Sequence, residues 1–257
     1  MVKEATLRGL NASMFLAMSY MLATLLLLPF SIKEGITRAD LFYGIVGGFL
    51  VALGSYGAYK AVEELGGVAT FPLVNLSYII PLLYGSLLLS EVLSAYNFIG
   101  LILTAMSIIF FAGKPENLAL KGVLWLSIGF AGYGFTDVIL KLYGVHGGTH
   151  MATLSFIVNL SVAIYLALSL KGNGIMVKRE SNSQLLMLSL MNGILLGIST
   201  FSLIKAFSTG PVSKISPIVK LNTVVPVGYS IARGERPSVP TLIGSILAVI
   251  AVFLLSL

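Results

Sequence analysis

The sequence contains no cysteine, only two histidines and one tryptophan among its 257 residues, and charged residues make up 10% of it. The absence of cysteine excludes disulfide bonds, thiolate catalysis and cysteine-ligated metals. His146 and His150 are too few for a histidine-rich metal site, so we predict neither a metal nor a cofactor. The scarcity of charge excludes a soluble globular domain of ordinary composition.

Apolar residues make up 57% of the chain and form successive runs, each near the ~20 residues that cross a bilayer. These runs predict an all-α, polytopic membrane helix bundle whose surroundings are a lipid bilayer. We expect nine transmembrane helices, at about residues 10–30, 40–61, 67–90, 95–113, 119–142, 150–170, 184–206, 211–232 and 238–257.

The 16 Lys and Arg residues give a net charge of +6, but they are spread over short connections and form no dense run. They therefore predict membrane topology rather than a nucleic-acid partner. Ten of them fall on the side that holds the N-terminus, and the opposite side holds Lys33, Arg38, Lys141, Lys205 and Lys214. The positive-inside rule then predicts a multi-pass protein of the plasma membrane with a cytoplasmic N-terminus.

The chain also repeats itself at a distance of 145 residues. Pro72, Val74, Leu76, Pro81 and Tyr84 recur as Pro217, Val219, Leu221, Pro226 and Tyr229, and Glu91 recurs as Glu235, where the spacing is one residue shorter. Five crossings separate each helix from its copy, so the second copy is predicted to be inverted, as in transporters that work by alternating access. The prolines Pro72, Pro81, Pro217 and Pro226 predict bent or locally open helices that act as hinges or only improve packing.

The segment from Ala58 to Phe111 and its second copy, which contains a Gly234 to Ser238 turn that leads into the last helix, resemble the EamA-like repeat of the drug/metabolite transporter superfamily. The resemblance implies a first repeat at 1–114 with four helices and a second at 115–257 with five. The family form has ten helices, and the first helix is missing here. Either the chain starts upstream of Met1 or it is a nine-helix variant.

Lys220 lies near the middle of the eighth predicted span, between two prolines. A lysine at that depth costs roughly 2.5–3.5 kcal/mol to insert, so we expect it to face a cavity or a partner. Two interpretations stay open: a contact for an anionic group of a substrate, or a structural lysine bonded to carbonyls that the prolines free.

Asn75 is the repeat partner of Lys220 and is predicted to approach the same midplane cavity. Helical spacing adds Tyr78 beside Asn75, and Ser216 and Thr223 beside Lys220. Asn159 is a further lining candidate. The alternative is that these polar side chains only join helices through hydrogen bonds.

Asp137 is the acidic residue that lies well inside a span, with Tyr133 and Lys141 one turn away on the same helix face. It is predicted to be a proton-coupling carboxylate or the counter-ion of Lys220, unless it pairs with Lys141 near the helix end.

These features predict an integral membrane permease or exporter of small metabolites, such as amino acids or other small amphiphilic compounds. Transport of nucleotide-linked or lipid-linked sugars and a non-transporting scaffold remain alternatives. An intramembrane enzyme lacks support, because no Gly-x-Ser-x-Gly elbow, paired intramembrane carboxylates or histidine metal cluster is present. Proton or ion coupling and homo-oligomerisation are left open.

Overall fold

The computed structural model describes residues 12–65, 67–112, 120–171, 182–223 and 238–257. Within these residues the chain is helical throughout, joined by short connections. The helices are α1 (Ala12–Glu34), α2 (Arg38–Leu65), α3 (Gly67–Asn75), α4 (Ile79–Leu88), α5 (Ala95–Ala112), α6 (Leu120–Val145), α7 (Met151–Lys171), α8 (Asn182–Thr209), α9 (Val212–Lys220) and α10 (Val239–Ser256).

Within the described residues, five helical stretches are long and apolar enough to cross a membrane: Met14–Glu34, Arg38–Leu65, Leu120–Val145, Met151–Ser169 and Leu186–Thr209. Shorter apolar helical stretches are Leu73–Leu88, Ala95–Phe110 and Leu242–Leu255. A helix satisfies all its backbone hydrogen bonds within one segment, which is why apolar runs of this kind fold as helices in lipid. The predicted all-α polytopic fold is confirmed.

The third predicted crossing is interrupted. Helix α3 ends at Asn75, a 3₁₀ turn follows over Leu76–Tyr78, and α4 continues the crossing. Pro81 lacks an N–H, so the carbonyl of Ser77 has no i+4 donor and the backbone tightens into the 3₁₀ form. Counted with this break, α3 and α4 form one crossing.

The same break recurs in the second copy of the repeat. Helix α9 ends at Lys220 and runs into a 3₁₀ turn over Leu221–Thr223, which is 145 residues after the first turn. Pro217 lies inside α9. Residues 224–237, including Pro226, lie outside the described part of the chain, as do the side chains of Pro72 and Thr223.

Side chains fix several helix starts. Asp40 accepts the Thr37 N–H at 2.7 Å while its own N–H donates to Thr37 Oγ1, a reciprocal cap at the start of α2. Ser94 and Asn97 make the same exchange at the start of α5. These caps satisfy backbone donors that have no partner within their helices.

The chain divides into two compact units. The first unit comprises Met1–Ala52 and Ile139–Thr209, and the second comprises Leu53–Val138 and Gly210–Leu257. Helices α2 and α6 contribute residues to both units, so each unit draws on both halves of the sequence. In the first unit α1 packs against α7 and α8.

In the second unit α5 packs against α10, and α9 packs against α4. Small residues allow the close approach: a Cβ on Gly100 would lie 3.0 Å from Leu255 Cγ and 3.2 Å from the Ala251 carbonyl. Ser107 Oγ donates to the Gly244 carbonyl at 2.7 Å. This combination of small residues and interhelical hydrogen bonds is typical of membrane helix packing.

Candidate functional site

Lys220 and Asp137 form a buried ion pair in the second unit. Lys220 Nζ at the end of α9 lies 3.2 Å from Asp137 Oδ2 in α6. The two residues are 8% and 3% exposed. A buried charge without a partner destabilises the folded state, so each of the two side chains stabilises the buried position of the other. Of the two partners predicted for Asp137, the structure places Lys220 against it.

Ser216 holds the carboxylate from the same helix as Lys220. Its Oγ donates to Asp137 Oδ2 at 2.6 Å. Ser216 and Lys220 are four residues apart on α9, so they lie on one helix face, as the sequence predicts. Both contacts use Oδ2, and neither of them uses Oδ1.

Tyr133 completes the surroundings of the ammonium. It lies one turn before Asp137 on α6, and its ring centroid is 5.5 Å from Lys220 Nζ, which is cation–π distance. The hydroxyl of Tyr133 shares a 3.0 Å hydrogen bond with Ser55 Oγ of α2. Gly54 permits this approach, because a Cβ there would lie 3.1 Å from Tyr133 Cγ. Helix α2 therefore supports the ring that faces Lys220.

The two helix breaks meet beside this cluster. Asn75 Nδ2 donates to Asn222 Oδ1 at 3.2 Å, which joins the end of α3 to the second 3₁₀ turn. Helix α9 packs against the first turn, and α3 packs against the second. The sequence predicts Asn75 opposite Lys220. In the structure Asn75 is bonded to Asn222, two residues after Lys220.

Tyr78 points elsewhere. Its hydroxyl donates to the Leu101 carbonyl of α5 at 3.1 Å. The ring is buried in a cluster with Leu101, Ile108 and Leu255. These contacts tie α5 to the first break.

Asn159 belongs to the first unit, where it links two helices. Its Nδ2 donates to the Ser155 carbonyl at 2.8 Å, and its Oδ1 accepts a hydrogen bond from Thr200 Oγ1 of α8 at 3.4 Å. These contacts fit the alternative role of a helix-joining amide.

Glu91 was not assigned a role from the sequence, but it holds the N-terminus of α9. Its carboxylate accepts the N–H of Val212 at 3.0 Å, the N–H of Ser213 at 2.9 Å and the Ser213 hydroxyl at 2.5 Å. A negative group is favoured at this end of a helix. The sequence feature that could have indicated this role is the recurrence of Glu91 as Glu235.

The sequence analysis also did not identify Ser55, which bonds Tyr133, or Asn222, which bonds Asn75.

The first unit has a polar cluster of its own, at the start of α2. Tyr143 donates its hydroxyl to Asp40 Oδ1 at 2.6 Å, and His150 Nδ1 lies 3.0 Å from Asp40 Oδ2. The His150 N–H donates to the Tyr143 hydroxyl at 3.0 Å. The Tyr43 hydroxyl is bonded to His146 Nδ1. Among the described residues, no group of three or more His, Asp or Glu side chains is arranged to hold a metal ion.

Apolar helices of membrane length, two homologous helix breaks and a buried charge pair define a polytopic helical membrane protein with an internal repeat. The chain belongs to the EamA-like transporter family, whose sequence profile matches residues 1–113 and 120–257.

An uncharacterized protein of Haemophilus influenzae is 31% identical over 147 residues, a match that covers 55% of this chain and 47% of that protein. The chain thus spans about half the length of this curated relative. One solved crystal structure superposes with a TM-score of 0.78 at 12% identity, covering 96% of this chain and 89% of that chain. At that identity the likeness shows the fold alone.

Proposed function

We propose that the protein is an integral membrane permease or exporter of small metabolites that works by alternating access. The observation that carries this proposal is the buried pair of Lys220 and Asp137 beside two homologous helix breaks. Membership of a transporter family favours transport over catalysis. Charged groups inside membrane helices most often mark substrate or ion pathways.

The pair suggests how a substrate is bound. The site carries no net charge while Lys220 and Asp137 face each other. An anionic group of the substrate competes with Asp137 for the ammonium, and Tyr133 and Ser216 supply a ring face and a hydroxyl beside it. Once Lys220 is engaged by the substrate, the carboxylate needs a proton or a cationic group, which makes proton coupling a natural consequence.

The repeat suggests how the site changes its exposure. We take residues 1–114 and 115–257 as inverted repeats, with the broken helices α3–α4 and α9 at their centres. The breaks allow the half-helices to tilt without losing further backbone hydrogen bonds. The distribution of Lys and Arg supports a plasma-membrane protein with a cytoplasmic N-terminus.

Flux measurements on the purified chain in proteoliposomes test the proposal, with a panel of radiolabelled amino acids, organic acids and sugar conjugates. Saturable uptake of an anionic or zwitterionic metabolite is expected, and Lys220→Met is expected to lower it at least tenfold. Lys205→Met, which removes an exposed lysine from α8, is the matched control. Unchanged flux in the Lys220→Met protein would show that Lys220 is structural, and no saturable flux for any compound would favour a scaffold.

A further inference from the structure

Ser77 lies in the first 3₁₀ turn and is 0% exposed, yet its hydroxyl has no hydrogen-bond partner within the part of the chain that the structure describes. Buried hydroxyl groups are nearly always bonded, and the exceptions require an explanation. A partner that is present in another state of the protein is one such explanation.

The two helices that carry the ion pair, α6 and α9, also contact the turn that holds Ser77. The Ser77 carbonyl lies so close to α6 that a Cβ on Gly134 would be 2.9 Å from it. Gly134 follows Tyr133 directly and precedes Asp137 by one turn of the helix. Helix α9, which ends at Lys220, packs against the turn that holds Ser77. The first turn, with its unbonded hydroxyl, therefore packs against both helices that carry the ion pair.

The internal repeat relates these residues in a specific way. At the offset of 145, Asn75 corresponds to Lys220, and Ser77 corresponds to Asn222. Asn75 of the first repeat is bonded to Asn222 of the second repeat, which is the equivalent of Ser77. A twofold exchange of the repeats turns this contact into one between Lys220 and Ser77. The packing of the helices is already reciprocal, α9 against the first turn and α3 against the second.

We propose that the Ser77 hydroxyl is a second binding position for the Lys220 ammonium, occupied when Asp137 loses its negative charge. Binding of a proton from the aqueous phase converts the carboxylate to a carboxylic acid, and the charge of the pair rises from zero to +1. The ammonium then donates to Ser77 Oγ, which accepts the hydrogen bond that it lacks in the paired state.

For transport, this inference rests on the proposed function. Inverted repeats exchange conformations between the inward-facing and outward-facing states. The contact of Lys220 with Ser77 then belongs to the state opposite to the one with the Asn75–Asn222 bond. Ser77 is a positioning residue in that scheme, because it holds the side chain that meets the substrate.

Thermal unfolding of the purified full chain in detergent, without substrate, tests the second position independently of transport. Ser77→Ala is compared in the wild type, in Asp137→Asn, and in Asp137→Asn combined with Lys220→Met. It is expected to change Tm by about 1 °C or less in the wild type and to lower it by roughly 2–6 °C in Asp137→Asn. With Lys220 replaced as well, the effect should disappear.

Ser189→Ala is the matched control, because Ser189 in α8 is equally buried and its hydroxyl also has no described partner. It should have the same effect in all three backgrounds. An equal effect of Ser77→Ala in the wild type and in Asp137→Asn would overturn the proposal, and so would an effect that persists without Lys220.

If Asp137→Asn folds poorly, a variant that moves the carboxylate from position 137 to position 77 tests the proposal instead. The double variant S77D/D137N gives Lys220 a carboxylate at the second position and is expected to recover the Tm of the wild type. If it unfolds at the same temperature as Asp137→Asn alone, Lys220 does not reach position 77. Loss of flux without these Tm effects would leave the proposed transport function standing and remove only the second position.

Discussion

Lys220 Nζ lies 3.2 Å from Asp137 Oδ2, and the hydroxyl that shares this oxygen comes from Ser216 on the same helix as the lysine. Two side chains of α9 thus contact the Asp137 carboxylate of α6. Since both charges are buried, the stability of each helix position depends on the presence of the other charge.

Removing one member of the pair is expected to cost more than removing both charges. Lys220→Met leaves a buried carboxylate without its counter-ion, which typically lowers the free energy of unfolding by about 3–5 kcal/mol. The double variant Lys220→Met/Asp137→Asn has no charge at this site and keeps an acceptor for Ser216, so it should recover most of this loss. Unfolding by SDS in mixed micelles measures both. A double variant as unstable as Lys220→Met alone would contradict the pairing.

Sequence reasoning placed Lys220 with Ser216 and Asp137 with Tyr133, because helical spacing determines which residues share a face. That the two faces meet is a tertiary fact, anticipated only by the high cost of an isolated charge in a membrane. The sequence could not distinguish polar side chains that line a cavity from those that only join helices. Tyr78 and Asn159 have the same polar character as Ser216, yet their bonds go to a backbone carbonyl of α5 and to α7 and α8.

The breaks were anticipated only in outline. The prolines predicted bent helices, but the sequence did not show that Gly134 and α9 pack against the first turn. It also did not show that the partner of Asn75 is Asn222 and not Lys220. Ser55 could not be found, since a serine among apolar residues and glycines in α2 carries no signal of the tyrosine that it meets.

Gly134→Ala is expected to separate α6 from the first break. A Cβ there would lie 2.5 Å from Ile80 Cδ1 and 2.9 Å from the Ser77 carbonyl. Overpacking of this kind lowers the free energy of unfolding by about 1–3 kcal/mol. Gly47→Ala is the control, because its Cβ would meet only ordinary contacts at 3.7 Å and beyond. Equal unfolding transitions for the two variants would show that the close contact is unimportant.

Glu91→Ala is expected to loosen α9. The variant removes the carboxylate that accepts the N–H groups of Val212 and Ser213, and bonds to a charged group of this kind contribute about 1–3 kcal/mol. Because α9 carries Ser216 and Lys220, flux should fall together with stability. Glu63→Ala is the control, since Glu63 is exposed and pairs with Lys60 at the surface, where the expected loss is within about 1 kcal/mol. If both variants unfold alike, the cap does not stabilise α9.

Tyr143→Phe tests the polar cluster of the first unit. The hydroxyl of Tyr143 is buried, donates to Asp40 and accepts the N–H of His150, so its removal leaves both groups short of a bond. We expect a loss of about 1.5–3 kcal/mol, the usual range for a hydrogen bond to a charged group. Faster amide exchange should appear in the connection from His146 to His150, which this hydroxyl anchors.

The matched control for this variant is Tyr96→Phe, because Tyr96 in α5 is 59% exposed, whereas Tyr143 is 1% exposed. It should leave both the unfolding transition and the exchange of residues 146–150 unchanged. A Tyr143→Phe protein with wild-type exchange in that connection would mean that Asp40 and His150 hold the start of α7 without the tyrosine. Since the cluster lies in the first unit, flux should respond to Tyr143→Phe far less than to Lys220→Met.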